Sequence, residues 1–444
     1  MIIKNSSRLT SCALFALAAS PAFAQQRPPI RPLGAVIARS AEPMSNVTAV
    51  RGLSSGRVLV NEPQKRRVIL FDSELKTFAV VADSTPATGN AYGGRIAGLI
   101  AYRGDSSLFV DPQSLSMMVI DPAGKIGRVM SVPRSEDAGM LGGGFGGASF
   151  DGKGGLIYRA APRFNFRGAG PASRDFVPPQ QPDSAAIVRI DLATRKVDTL
   201  TYIKTPKIKM DVTRDANGGM TMMSQVNPLP IVDDWTVLPD GSLFIVRGRD
   251  YHVDLVASDG TKSSVAKIPF DWQRLTDEDK IAFIDSVKAA RARLGPNAPG
   301  VQLGGPGGAG AAAGGGGGGG GGPQIIMRME AGPPAGGGAG GERRQGAPQM
   351  QMNFVPPTEL PDYKPAFFAG SVRADTDGNV WVRTIPTTAT PGGPVFDVLN
   401  RKGELIERVQ IPAGRAIAGF GAGGIVYLTA RDNDKVFLEA AKIR

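Results

Sequence analysis

The chain has 444 residues, 42% of them hydrophobic and 20% charged, with a formal net charge of +11. That length buries a sizeable core without covalent staples, and a single cysteine, Cys12, excludes an intramolecular disulfide framework. Lys and Arg are spread along the sequence without runs, so the charge speaks for solubility and against nucleic-acid binding, while His252, the one histidine, excludes sites built from several imidazoles.

Residues 1–24 read as a secretory signal. Lys4 and Arg8 precede an apolar stretch from Leu9 to Ala19, Pro21 breaks it, and Ala22-Phe23-Ala24 is an A-x-A cleavage site. Cleavage there starts the mature chain at Gln25 and places it in the periplasm or outside the cell. The apolar stretch is shorter than the roughly 20 residues a membrane span needs, and no later segment comes close, so no transmembrane segment is expected. Leu9-Thr10-Ser11-Cys12 has the letters of a lipoprotein box, but most of the apolar region follows the cysteine instead of preceding it.

From Gly34 onward the chain reads as strands. After one unassigned strand, Gly34–Arg39, a unit of about forty residues recurs: a β run, a Gly-bearing turn, a second β run, a third, an Asp/Gly/Lys turn and a fourth. The second run is the clearest, in six copies: Arg57–Asn61, Ser107–Asp111, Gly155–Arg159, Ser242–Arg247, Asn379–Arg383 and Gly424–Leu428. Turns such as Asp121-Pro-Ala-Gly-Lys125 and Ser258-Asp-Gly-Thr-Lys262 supply residues that tolerate the left-handed backbone of tight hairpins. Continuous apolar runs imply sheets covered on both faces. The fold class expected is therefore all-β, a six-bladed β-propeller with blade cores at about 44–83, 93–133, 145–203, 231–269, 367–412 and 416–444. The last unit ends after its third strand, and residues 34–39 supply the missing outer strand, which closes the ring. Two β-sandwiches are the alternative, and they leave the six-fold count and this complementarity without a reason.

Val58-Leu-Val-Asn-Glu62, Val237-Leu-Pro-Asp-Gly241, Tyr251-His-Val-Asp254 and Asp377-Gly-Asn-Val-Trp-Val382 resemble six-bladed propellers of the TolB-like and NHL-like kind, especially exported bacterial ones, over about residues 33–444 less the insertions. The resemblance implies the fold; propellers serve both as enzymes and as binding platforms. Gluconolactonase-type propellers hold calcium in their channel with Glu, Asn and Asp, and the matching Glu has no counterpart placed here. Asp375-Thr-Asp-Gly-Asn379 mimics part of a calcium loop but falls on a predicted hairpin turn. No cofactor and no metal is expected.

Four long insertions fall on connections that share one propeller face: 161–184, 204–230, 270–365 and 385–394. The largest interrupts blades four and five, with a helix over 276–294 whose stripe is Ile281, Ile284, Val287 and Leu294, then a Gly-rich segment at about 304–349 too poor in apolar surface to order itself. Loops on a rigid scaffold gather binding residues. Second strands end on this face, so Asn61, Asp111, Arg159, Arg247 and Arg383 ring the central mouth, and three arginines there suit an anionic or carboxylate-bearing ligand. The competing reading pairs them with Asp233, Asp234, Asp250 or Asp254 as blade ties.

Tyr251 and His252 complete the expected ligand set. Trp235, Trp381 and Phe367 are further candidates for stacking on a ring, with blade packing as the other use. Two functions stay open. One is an extracytoplasmic binding propeller that engages a small molecule, glycan or protein through the inserted face. The other is a lactonase- or esterase-like hydrolase using channel carboxylates, with His252 as base and Asp254 beside it.

Overall fold

The computed structural model describes residues 27–443, apart from 86–90, 95–96, 143–146, 163–181, 215–219, 295–348, 388–390 and 434. The signal segment with Cys12 and the stretch 304–348 lie outside the described residues.

Two short strands come first, β1 (Ile30–Pro32) and β2 (Val36–Arg39). The first sheet follows as a meander of β3 (Ala49–Gly52), β4 (Val58–Glu62), β5 (Arg67–Phe71) and β6 (Phe78–Ala82). The second is β7 (Gly98–Ala101), β8 (Ser107–Asp111), β9 (Ser116–Ile120) and β10 (Ile126–Ser131). A short helix α1 (Ala138–Leu141) leads into the third, β11 (Ser149–Phe150), β12 (Gly155–Arg159), β13 (Ser184–Asp191) and β14 (Val197–Lys204). After a hairpin of β15 (Ile208–Arg214) and β16 (Met220–Val226) comes the fourth sheet, β17 (Asp234–Val237), β18 (Leu243–Arg247), β19 (His252–Val256) and β20 (Lys262–Ser264). The helix α2 (Asp277–Leu294) and β21 (Gln349–Phe354) separate it from the fifth, β22 (Phe367–Ala374), β23 (Val380–Thr384), β24 (Val395–Leu399) and β25 (Leu405–Gln410). The sixth holds β26 (Arg415–Gly421), β27 (Ile425–Asp432) and β28 (Lys435–Lys442), with β2 antiparallel to β28 as its outer strand.

The reason these runs form sheets is visible in their burial. Val58, Leu59, Val60 and Asn61 on β4, and Leu108, Phe109 and Val110 on β8, are wholly enclosed, so both faces of each sheet are covered and alternation disappears from the sequence. Burying one such Leu or Phe stabilises by about 1.5–3 kcal/mol. Neighbouring sheets share cores: Ile157 and Ile187 of the third sheet with Trp235 and Leu243 of the fourth, and Trp381 and Val398 of the fifth with Ile417 and Leu428 of the sixth. Val58 and Val60 of the first sheet share one with Ala418, Tyr427 and Leu438 of the sixth. Sheets thus stack in chain order in the manner of a β-propeller, each a four-stranded antiparallel unit.

Asp and Asn side chains hold the hairpins. Asp375 accepts from the amides of Asp377 (3.0 Å) and Asn379 (2.8 Å) and from Trp381 Nε1 (3.1 Å), so the calcium-like stretch is a turn whose carboxylate is already occupied. Asp72, Asp151, Asp191 and Asn400 cap their turns in the same manner.

Three features depart from expectation. β1 pairs parallel with β25, giving the fifth sheet an additional strand. β15, β16 and β21, from two different insertions, join into a separate three-stranded sheet. On α2 the expected stripe is corrected: Ile281 is 50% exposed, and Phe283, Ile284 and Val287 are the buried positions, packed with Leu229, Val355 and Leu360. Leu294 closes the helix, and Lys280 is buried beside the stripe because Asp362 takes its ammonium at 2.8 Å.

Candidate functional site

The five second-strand residues do not form one ring. Asn61 is sealed between sheets, donating to Thr48 Oγ1 (3.1 Å) and the Ala97 carbonyl (2.8 Å) and accepting from the Tyr92 hydroxyl (2.8 Å). Asp111 is equally enclosed and gathers the amides of Gly93 (2.8 Å) and Gln113 (3.0 Å) and the Ser114 hydroxyl (2.9 Å). Both are ties inside the scaffold, because buried polar groups need partners and these have theirs nearby.

Arg247 follows the blade-tie reading. Its Nε donates to Asp254 at 2.7 Å and its Nη1 to Asp233 at 2.7 Å and to the Tyr202 carbonyl at 3.0 Å, so it binds the fourth sheet to the third. His252 stands opposite Arg247 in the β18–β19 register. Its Nδ1 lies 2.5 Å from Asp250 Oδ1 and its Nε2 3.4 Å from Asp254 Oδ1. Burial works to raise both carboxyls, but His252 and Lys267 outweigh it at Asp250, and Ser264, Arg247 and His252 outweigh it at Asp254; each ends below its ordinary value. With a carboxylate facing each ring nitrogen, the imidazole is engaged on both sides as a tie within the fourth sheet.

Tyr251 is corrected outright. Its side chain is wholly enclosed at the boundary of the fourth and fifth sheets, its hydroxyl donates to Asp397 at 3.0 Å, and Phe270 and Phe367 pack on its ring. Burial first, and the Asp397 charge second, push its phenol well above the usual range. Its backbone sits at φ +54°, an unusual value for a bulky residue, which this packing holds in place. Trp235, Trp381 and Phe367 are likewise core residues, exposed by 4%, 1% and 2%, with no ring face available to a ligand.

What remains is a different cluster, at the junction of the third, fourth and fifth sheets. Asp234 opens β17 and is buried; its Oδ1 accepts from the Trp235 amide (3.0 Å) and its Oδ2 from the Val372 amide (2.9 Å). The β22 register slips between Phe367 and Val372, and Gly370 takes φ +79°, a conformation that favours glycine. This irregularity turns the amides of Gly370, Ser371 and Val372 together toward the Asp234 carboxylate. Burial still dominates and pushes that carboxyl up to about 6.

Two arginines feel its charge, and a third acts on one of them. Arg159, at the end of β12, feels the Asp234 charge, while burial pushes its guanidinium down to about 10. Arg373, on β22, is lowered by burial, raised in part by Asp234 and lowered again by Arg383. Arg383, at the end of β23, is exposed, and partial desolvation by the protein around it lowers its guanidinium. Arg159, Asp233, Asp234, Thr205 and Gly370 line one cleft, with room for about a single water-sized guest. Two of the expected ligand arginines, Arg159 and Arg383, thus belong to one electrostatic group, and Arg247 does not. Arg373 and the Asp234 nest were missed, because first-strand residues converge only once sheets are packed side by side.

Among the described residues no three His, Cys, Asp or Glu side chains converge into a metal-sized group, and no helix is long and apolar enough to cross a membrane.

A scan against family models gives no match, and neither does a search of curated proteins. Solved structures do resemble the chain in outline. A gluconolactonase from Xanthomonas campestris is 11% identical with a TM-score of 0.37, covering 94% of this chain and 99% of its own. The calcium-binding protein regucalcin from Agrobacterium tumefaciens is 13% identical with a TM-score of 0.37, covering 93% and 97%. Virginiamycin B lyase from Staphylococcus aureus is 10% identical with a TM-score of 0.37, covering 91% and 97%. At these identities no substrate or catalytic residue transfers to this chain.

Proposed function

We propose that the chain is an exported, six-bladed propeller, closed by β2, that binds an anionic, carboxylate-bearing ligand on its insertion-bearing face, with Arg159 and Arg383 as the contacts and Arg373 behind them. The observation that carries this reading is that the guanidinium groups of Arg159 and Arg373 both feel the charge of the buried Asp234, and Arg373 in turn feels Arg383, so three cations are coupled beside one carboxylate. Desolvated guanidinium groups gain more from an anion than solvated ones, and a bidentate carboxylate matches their geometry. Asp234 opposes the ligand while ionised. Affinity therefore increases as pH falls through about 6, where Asp234 takes a proton.

Calorimetric titration with mono-, di- and tricarboxylates, and with sulfate as an anion that does not titrate in this range, tests the reading. Saturable binding is expected, weakened roughly 10- to 100-fold by Arg383→Ala or Arg159→Ala, the loss of one charge-assisted hydrogen bond or two. Absence of saturable binding by the unaltered chain, or affinity in both variants equal to that of the unaltered chain, would sink it.

The hydrolase reading draws its support from Asp234, a buried carboxyl lining the cleft, whose raised value suits an acid working near pH 6. Turnover of a lactone or ester that is lost in Asp234→Asn and kept in His252→Ala would favour that reading with Asp234 in the leading role.

A further inference from the structure

The outer strands of the six sheets differ in how their edges are treated. β25 is covered by β1 and β28 by β2. β20 is three residues long, and near the end of β14 the Tyr202 carbonyl is taken by Arg247 Nη1 at 3.0 Å and the Lys204 amide by Asp233 Oδ2 at 2.8 Å. β6 and β10 are left, and beside them lies an open groove of about 480 Å³, lined by Val81 of β6 and by Gly124, Lys125, Ile126, Arg128 and Val129. β10 is the longer of the two, with six residues; among the described residues no strand lies beyond it, and Gly127, Arg128, Val129 and Ser131 are exposed.

The register shows which backbone groups of β10 face outward. The Val132 amide donates to the Leu115 carbonyl at 2.9 Å, and the pairs that precede it are Ser131 with Ser116, Met130 with Met117, Val129 with Met118 and Arg128 with Val119. Hydrogen-bonded and non-hydrogen-bonded pairs alternate in an antiparallel ladder, so Met130 and Arg128 bond to β9, while the amides and carbonyls of Val129 and Ser131 point away from it. Such a row of groups is a template for another strand. Gly127 takes the extra position of a bulge, and a side-chain carbon there would meet nothing within 4 Å beyond its chain neighbours, so the space beside it is open.

The side chains select what can add. Val81, Ile126 and Val129 give the groove an apolar floor, with Val129 51% exposed, while Lys125 and Arg128 give it two cations. Among the described residues no acidic side chain lines it, and Asp121, the acid of the adjoining turn, accepts from the Lys125 amide at 2.8 Å. Two copies of this edge laid together would bring like charges together, whereas a strand carrying Asp or Glu would meet opposite ones. The net charge of +11 favours the approach of such a partner. The chain follows the same rule within the fifth sheet, where β1 adds to β25 and Arg31 of β1 pairs with Glu407 of β25.

We propose that the edge of β10 receives an extended, acidic segment of a partner protein as a fifth strand of the second sheet. The amides and carbonyls of Val129 and Ser131 are its backbone contacts, an apolar side chain covers Val129, and carboxylates meet Lys125 and Arg128. The surface uses no residue of the arginine cluster and does not depend on it.

The test is fluorescence anisotropy on the full chain, with a labelled peptide of alternating Glu and Val as the probe. Saturable binding is expected, weakening as salt rises. A peptide of alternating Lys and Val, and a Glu/Val peptide N-methylated at every residue so that it has no donors, are each expected to bind about 10-fold more weakly or worse. Val129→Pro removes an outward donor and no bond to β9, a position where an edge strand tolerates proline; it is expected to cost about 10-fold in affinity with a melting temperature close to that of the unaltered chain. Arg128→Glu reverses one charge without altering the backbone and is expected to cost at least as much. Lys402→Glu, exposed on the turn between β24 and β25, is expected to bind as the unaltered chain does. The proposal is overturned by no saturable binding, by equal affinity for the Lys/Val or the N-methylated peptide, by unchanged affinity in either Val129→Pro or Arg128→Glu, or by an equal loss in Lys402→Glu. Dimerisation of the unaltered chain that Val129→Pro abolishes would assign the edge to a second copy and overturn it as well.

Discussion

Asp234 and Asp397 are both buried carboxylates raised by desolvation, but their partners set different tasks. Asp397 is met by the Tyr251 hydroxyl at 3.0 Å, by Arg408 Nε at 3.3 Å and by Arg27 at 3.8 Å, so it is a junction of charges between sheets. Asp234 is met by backbone amides, and its carboxyl rises from 3.8 to about 6. Between those two pH values the folded chain holds a proton that the unfolded chain has released. The stabilisation linked to that proton is complete below about pH 4 and is lost as pH rises through about 6, amounting to roughly 3 kcal/mol. Asp234→Asn removes the titration. Urea denaturation at pH 4.5 and pH 7 is expected to show a smaller loss of stability on raising pH in the variant than in the unaltered chain; equal losses would mean that Asp234 is ionised throughout. Of these residues, Arg159 and Arg383 were legible as mouth candidates from their place at second-strand ends. Asp234 was legible only as a possible partner, since its amide nest depends on the register slip in β22.

At the scale of elements, the N-terminal segment does more than complete one sheet. β2 pairs with β28, Leu33 enters the core shared by the fifth and sixth sheets, β1 lies along β25, and Arg27 reaches Asp271 at 2.5 Å and the buried Asp397. Removing residues 27–39 strips an outer strand from the sixth sheet and takes one cation from a buried carboxylate. Chemical denaturation is expected to register a loss of at least about 3 kcal/mol, and a deletion of unchanged stability would count against the closing role of β2. The strand at 36–39 could be read beforehand because the last repeat lacks one. β1 could not, because a three-residue strand carries no period. Nor could the hairpin β15–β16, whose partner β21 lies more than a hundred residues away. On α2 the apolar spacing located the helix, while Asp362 decided which neighbouring positions could be buried.

For the molecule as a whole, shared cores between consecutive sheets make independent unfolding of one sheet costly, since each would expose its neighbour's apolar face. Denaturation followed by tryptophan emission, dominated by the buried Trp235 and Trp381, and by far-UV circular dichroism is expected to give coincident transitions. Two separated transitions would mean that the sheets do not act as one unit. Sequence by itself determined the repeat, the strand order within each four-stranded unit and the turn chemistry, because these depend on residues close along the chain: apolar runs, and an Asp or Asn that caps its own hairpin. Only the tertiary structure decided which charged residues meet. Arg247 was claimed by Asp233 and Asp254, Tyr251 was enclosed, and Arg159 and Arg373 were brought within reach of the Asp234 charge, with Arg383 acting on Arg373. The physical reason is that the charge environment at Asp234 is set by neighbouring sheets, 75 residues away in the chain at Arg159 and 139 at Arg373, and no local pattern records such a separation.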